Sequence, residues 1–363
     1  KNNNINLIVV GPEVPLVEGI VDFFINKKIK IFGPEKFAAQ LEGSKGFMKD
    51  LCKEYHIPTA NYERFNDEEN ALAYLKTQKV PIVIKADGLA AGKGVTVAED
   101  SNSAELAVKE IFSGRFGKKM EVVIEEFMEG EEASYFICSD GKNFVSLVSA
   151  QDHKRVGEGD TGPNTGGMGA YSPAPIFTQE IQKQVDDKII KPTLKAFQDK
   201  RCPYKGILYA GLMINNGIAK LVEYNIRFGD PECQVLMVRM KSDLVEMMLN
   251  SIDGKIISTN VEWEDDHCAT VVMASDGYPG SFEKKTVINN LDKLSNDNNF
   301  QIFHAATIYE DEEIKADGGR VLSITAKSNK LENALDKIYS SIDLIEWPQG
   351  YFRKDIGFRA LKR

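Results

Sequence analysis

Cysteine is scarce in this sequence: Cys52, Cys138, Cys202, Cys233 and Cys268 are odd in number and form no C-x-x-C pair. That argues against a disulfide framework and a structural zinc site, and fits reduced thiols in the cytoplasm. Long apolar runs are also missing. No stretch approaches the ~20 residues a helix needs to cross a bilayer, so no membrane partner is expected. The polar start Lys1-Asn2-Asn3-Asn4 lacks the pattern of a signal peptide. A net charge of −9 at pH 7 argues against a nucleic-acid partner held by phosphate contacts. Histidine occupies four positions, with no Ser-His-Asp or Cys-His arrangement of a covalent catalyst.

What remains, 42% hydrophobic and 27% charged residues over 363 positions, is the composition of a globular protein with two or three domains. A strand over 5–10, a helix over 16–26 and a strand over 29–32 give the βαβ rhythm of a parallel sheet. No glycine-rich turn follows that first strand, where such a sheet normally places its ligand. Phe47, Leu51 and Tyr55, four apart, mark a helix over 40–55 that Ile57-Pro58 stops. Further helices are expected over 67–78, 179–199 and 233–250, with strands over 82–86, 95–98, 121–127, 133–138, 207–214 and 219–226. A long glycine-rich loop is expected over 156–169, and a β-rich unit from about 261 onward.

Four segments carry chemistry. In the first, Lys85 ends an apolar strand and Gly88, Gly92, Lys93 and Gly94 follow. Bare backbone N–H groups in such a loop approach phosphate oxygens closely. It is not a Walker A loop, because Gly94 stands where a Ser or Thr would hold magnesium. A strand–loop–strand flap over a triphosphate and a plain flexible hairpin both fit it. The second segment, Glu125-Glu126-Phe127-Met128 with Glu132 behind it, sets carboxylates beside an apolar strand end, which suits a purine nucleoside. A charged hairpin turn is its plainer explanation.

The third segment runs from Asp152-His153-Lys154-Arg155 to Asn164-Thr165-Gly166-Gly167-Met168-Gly169. So many glycines beside clustered charges point to a substrate loop rather than a solvated connection. In the fourth, Glu223, Asn225 and Arg227 are two apart and share one face of a strand. A carboxylate beside an amide oxygen suits Mg²⁺, which takes oxygen ligands together with phosphate and water, and Arg227 is placed for an anionic group. A salt bridge between Glu223 and Arg227 on an exposed face is the alternative.

Together these segments resemble the glycinamide ribonucleotide synthetases (phosphoribosylamine–glycine ligases) of the ATP-grasp superfamily. The likeness extends from Val10-Gly11-Pro12-Glu13 through Gln40-Leu41-Glu42-Gly43-Ser44-Lys45 to Phe352-Arg353-Lys354-Asp355-Ile356-Gly357. It implies an α/β and α+β multidomain chain: a partial Rossmann-like parallel domain over 1–44, an ATP-grasp domain over 45–258 with a lid near 58–128, and a small β-rich domain over 261–363. The implied reaction joins glycine to 5-phosphoribosylamine with ATP and Mg²⁺ or Mn²⁺, in a monomer or weak homo-oligomer. By the same likeness, Lys45 and Lys85 hold ATP phosphates under a flap from Gly88 to Gly94. Glu125, Glu126, Phe127 and Met128 frame adenine, Glu132 the ribose, and Glu223 with Asn225 the metal. Arg227, Asp152 and Lys154 act at the reacting groups; Glu13, His153, Arg155, Asn164, Thr165, Gly166, Gly167, Met168, Gly169 and Asp230 bind the substrates.

Two departures stand against the family pattern. Its first strand and a glycine-rich turn with an Arg-Glu-His run, part of the phosphoribosylamine site, have no counterpart here, a difference of roughly 60 residues if it comprises about two βα units. A further acidic metal ligand is common on the preceding strand, yet 206–222 contains no Asp or Glu, leaving Asp230 and Glu232 as nearby candidates. Another ATP-grasp ligase or carboxylase, or a nucleotide-binding protein without catalysis, are the competing expectations.

Overall fold

The computed structural model describes residues 4–89, 94–115, 117, 120–294 and 297–363. The chain folds into two compact units. The first comprises Lys1–Leu147, Ile176–Phe228 and Leu244–Asn260.

It opens with a parallel pair, Leu7–Val9 with Lys30–Phe32. The helix expected over 16–26 begins earlier and breaks: Glu13–Glu18 and Ile20–Phe24 flank Gly19, whose φ of 95° lies in the left-handed region that glycine adopts without strain. The helix expected over 40–55 breaks as well. Ser44 is extended, ends Lys36–Gly43, and caps Lys45–Glu54 by accepting the Phe47 N–H on its Oγ. Two antiparallel sheets follow. Tyr62–Phe65, Val122–Glu126, Ile82–Ala86 and Val95–Ala98 form one, in that order. Ile82, Ile84, Val122 and Ile124 pack on its covering helices Glu68–Leu75 and Ser101–Phe112 through Ala71, Val108 and Ile111.

The other sheet runs Ile218–Asn225, Lys205–Asn215, Glu131–Asp140, Phe144–Ser146. One face of it, including Leu208, Ala210, Leu212, Leu221 and Tyr224, is buried in the unit's main apolar core. Gly211 pairs with Glu223 but Leu212 pairs with Leu221, so Val222 is an extra residue in a β-bulge. The helix expected over 179–199 is continuous but contains a π-helical turn, Asp186–Ile190.

The second unit comprises Val148–Pro175, Gly229–Asp243 and Val261–Arg363. Segments 148–175 and 229–243, which the sequence groups with 45–258, thus pack with the C-terminal strands. Its sheet runs Phe300–His304, Arg320–Ser328, His267–Ser275, Gly169–Ser172, Gln151–Asp152. Leu331, Ala334, Leu335, Ile338 and Ile342 line one face of the helix Leu331–Ile342 and are buried. Each large side chain among them contributes about 1.5–3 kcal/mol by leaving water. The stretch expected as a loop over 156–169 contains a short hairpin, Arg155–Gly157 against Thr161–Asn164. The helix expected over 233–250 is two helices, Glu232–Arg239 in this unit and Leu244–Ile252 in the first.

Candidate active site

Within the first unit, strand pleating buries Ile82, Ile84 and Ala86 and turns Lys85 to the opposite face. Its Nζ lies 2.9 Å from Glu125 Oε1, and Lys49 Nζ lies 3.0 Å from Glu125 Oε2. Glu125, expected to frame adenine, is 3% exposed and has its carboxylate between two ammonium groups. Asp87, just past the same strand, accepts from Ser44 Oγ at 3.0 Å and from Gly46 N–H at 3.2 Å, tying the glycine loop to the start of the helix Lys45–Glu54. Lys45 Nζ donates to Gly88 O at 2.9 Å. Burial pushes the Lys45 pKa down, while Glu223 is the strongest opposing influence and Lys85 adds to the lowering. Gly92 and Lys93 lie outside the described residues.

Glu126 accepts from the Asn61 N–H at 3.1 Å and Asn61 Nδ2 at 2.9 Å, and pairs with Lys220 at 3.2 Å. Phe127 and Met128 follow at the strand end, with Phe127 exposed. Gly130 then turns the chain at φ 144°, where a Cβ would meet Ile214 O at 2.5 Å. Glu132, Glu223 and Asn225 all lie on the second sheet and are partly exposed, whereas Tyr224 between the last two is buried. The carboxylate and amide oxygens of Glu223 and Asn225 fit a hard divalent cation that keeps water and phosphate in its remaining positions. Among the described residues, no group of three His, Cys, Asp or Glu forms a closed metal cage.

Arg227 is gripped by two carboxylates: its Nε donates to Glu13 Oε2 at 2.9 Å and its Nη2 to Glu42 Oε1 at 2.8 Å. Glu42 also accepts the Ile226 N–H at 2.9 Å. Burial pushes its pKa up to about 7 against the opposing pull of Arg227 and that N–H. A carboxylate raised in this way binds its proton more tightly in the folded than in the unfolded chain. Its contribution is therefore full below pH 4.5 and is lost as pH rises through 7. Replacing Glu42 by Gln should remove a fall of up to about 3 kcal/mol across that window. Urea unfolding of wild type and Glu42→Gln at several pH values checks this; equal slopes would assign the pH dependence elsewhere.

The second unit holds the third segment. His153 is fully buried, its Nε2 accepting the Gly357 N–H at 3.0 Å and its Nδ1 lying 3.5 Å from Asp160 Oδ1. Burial holds its pKa down, so it is a neutral ring with the proton on Nδ1. Arg353, also fully buried, donates to both oxygens of Asp355 at 2.8 Å, to Arg155 O at 2.9 Å and to Asp160 Oδ1 at 2.9 Å. Asp355 in turn accepts the Gly159 N–H at 2.7 Å, and Arg359 pairs with Asp160. Arg155 donates to Gly162 O at 2.7 Å, and Asp152 is buried on its short strand. Lys154 O accepts both the backbone N–H and the Oγ1 hydroxyl of Thr165. Arg320 donates to the carbonyls of Gly166 and Asp230 and to the Asp230 carboxylate, while Tyr278 OH accepts the Gly166 N–H. Met168 and Gly169 are buried, with Gly169 opening a sheet strand, and Asn164 is exposed. Glu232 is buried at the first position of Glu232–Arg239.

Three family models cover this chain in succession: the phosphoribosylglycinamide synthetase N domain over residues 1–42, its ATP-grasp (A) domain over 43–233 and its C domain over 268–359. The chain belongs to the phosphoribosylglycinamide synthetase family. It is 52% identical to the phosphoribosylamine–glycine ligase of Brucella melitensis, over 100% of this chain and 85% of that protein. A crystal structure of the ligase from Thermotoga maritima superposes with a TM-score of 0.83 at 34% identity, covering 92% of this chain and 83% of that one. A biotin carboxylase from Campylobacter jejuni shares the fold alone, with a TM-score of 0.76 at 15% identity over 99% and 79% of the chains. As a phosphoribosylglycinamide synthetase, the chain has the mixed α/β, multidomain ATP-grasp architecture, and ATP-grasp ligases use ATP with a divalent cation. No helix among the described residues is long and apolar enough to cross a membrane.

Within each unit of this phosphoribosylglycinamide synthetase, several residues that hold the candidate residues in place carry no clear sequence signal. Lys49 and Glu42 sit one turn after Lys45 and just before it, but their partners Glu125 and Arg227 are distant in sequence. Arg320 and Arg353 pair with Asp230 and Asp160, 90 and 193 positions away, although Gly318-Gly319 precede the first and Asp355 follows the second. Only the Arg353-Lys354-Asp355 run, an arginine two residues from an acid, offered a local signal.

Proposed function

We propose that the chain condenses glycine with 5-phosphoribosylamine, converting ATP to ADP and phosphate and forming glycinamide ribonucleotide. A carboxylate is a poor acyl donor. Attack of a glycine carboxylate oxygen on the γ-phosphorus breaks the bond to the β-phosphate oxygen and releases ADP. The amine nitrogen of 5-phosphoribosylamine then attacks the carbonyl carbon of the glycyl phosphate, inorganic phosphate leaves, and the nitrogen gives up a proton. No protein nucleophile is needed; positioning and positive charge suffice.

The observation that carries this reading is the setting of Lys45. Its ammonium donates to the Gly88 carbonyl, and Glu223 and Lys85 are its principal charged influences, which supports reading the two lysines as phosphate ligands beside a metal-binding carboxylate. Lys45 and Lys85 hold ATP phosphates under the Gly88 to Gly94 flap. Glu125 acts through Lys85, while Glu126, Phe127 and Met128 border the adenine and Glu132 the ribose. Glu223 and Asn225 would hold Mg²⁺, or Mn²⁺ in its place, which would supply charge neutralisation to the phosphates. Arg227, Asp152 and Lys154 orient glycine and its phosphorylated form. Glu13, Arg155, Asn164, Thr165, Gly166, Gly167, Met168, Gly169 and Asp230 serve the sugar phosphate, and His153 positions that loop. Domains over 1–44, 45–258 and 261–363, a cytoplasmic setting, and a monomer or weak homo-oligomer complete the proposal.

ADP release should require glycine and 5-phosphoribosylamine together, with glycinamide ribonucleotide detected by mass spectrometry. Release with bicarbonate in their place would overturn the assignment in favour of a carboxylase.

A further inference from the structure

Lys49 has no solvent exposure and no part in the chemistry above. It lies four residues after Lys45 on the helix Lys45–Glu54. Its ammonium donates to Thr59 Oγ1 at 2.8 Å and lies 3.0 Å from Glu125 Oε2. The Tyr62 ring centroid is 5.7 Å from it. An isolated ammonium would not stay charged in such a place; burial pulls the Lys49 pKa down and Glu125 is what pulls it back up. The other oxygen of Glu125 meets Lys85. Two ammonium groups thus share one buried carboxylate, and the trio carries one positive charge in excess.

The position of that excess matters. With Lys49 in place, Glu125 is already neutralised, so Lys85 keeps its attraction for an anion. Without Lys49, Glu125 and Lys85 become a closed one-to-one pair, and an incoming phosphate has to compete with a buried carboxylate for the same ammonium. We propose that Lys49 is a positioning residue for the nucleotide: it neutralises Glu125 and thereby leaves the Lys85 charge available to a phosphate. This rests on the reading of Lys85 as a phosphate-binding lysine.

The test is a mutant cycle read by calorimetric titration with Mg·ATP at fixed ionic strength, with unfolding midpoints recorded in parallel. Lys49→Met should weaken binding about tenfold or more. In the Glu125→Gln background there is no carboxylate to neutralise, so adding Lys49→Met should change binding less than about threefold. The double variant should therefore bind ATP more tightly than Lys49→Met alone, whatever its unfolding midpoint. A residue that merely supports the fold would give no such recovery. Unchanged affinity in Lys49→Met overturns the proposal, as does a tenfold loss from Lys49→Met in the Glu125→Gln background. The latter comparison decides the matter even where Lys49→Met alone fails to fold. Lys85→Met is the separate control: normal ATP affinity there would sink the phosphate-lysine reading itself, independently of Lys49.

Discussion

Glu223→Gln should lower turnover by more than roughly 100-fold at saturating ATP, with little change in nucleotide affinity measured without metal. The substitution keeps the size of the side chain and one acceptor oxygen but removes the negative charge that a hard cation seeks. Asn225 supplies a neutral oxygen and cannot replace it. Lys45 would feel the change too, because Glu223 is the leading influence holding its pKa up against burial. The measurement is steady-state turnover across a magnesium titration. A drop that high magnesium largely repairs places Glu223 on the metal, and unchanged turnover removes it from the site.

Arg353→Met should destabilise the second unit by about 3–5 kcal/mol, the range expected when one partner of a buried ion pair is deleted. The guanidinium is fully buried and joins Asp355, Asp160 and the Arg155 carbonyl. Its loss would leave Asp355 without its bidentate partner and Asp160 with Arg359 and His153 alone. Lysine cannot reproduce the planar fork, so Arg353→Lys should recover only part of the loss. Urea unfolding gives the magnitude. Hydrogen exchange should also rise at residues 155–165 in either variant, since Gly159 N–H and Arg155 O depend on the same cluster. A wild-type midpoint in Arg353→Met would mean the network contributes nothing to stability.

Local pattern made part of this molecule readable. Alternating apolar residues announced Ile82–Ala86, Lys205–Asn215 and Ile218–Asn225, and the two-residue spacing of Glu223 and Asn225 marked them as neighbours on one face. Helix breaks at Gly19 and Ser44 were harder, because both sit inside continuous apolar periodicity and act through one backbone angle or one cap. The placement of Gly169–Ser172 was beyond local reading. Its partner strand is His267–Ser275, and nothing near residue 170 specifies that pairing. The same reason hid the grip on Arg227. An anionic substrate group was the expected partner on sequence grounds, with a Glu223 salt bridge as the alternative, yet the carboxylates bonded to it include Glu13 and Glu42, separated from it by 214 and 185 positions. The residues proposed to bind ligands left a type-and-spacing signature; residues that hold those residues left almost none.

The bulge at Val222 gives the metal-ready pair a further property. Before it, the buried positions are Ala219 and Leu221; after it, they are Tyr224 and Ile226. Odd numbers face inward on one side of Val222 and even numbers on the other. Glu223 would inherit the inward parity of its predecessors were the strand regular, and its carboxylate would enter the apolar core beside Leu208 and Leu212. The site is therefore encoded in arithmetic as well as chemistry. One residue more or fewer at this point would turn Glu223 and Asn225 to the wrong side of the sheet.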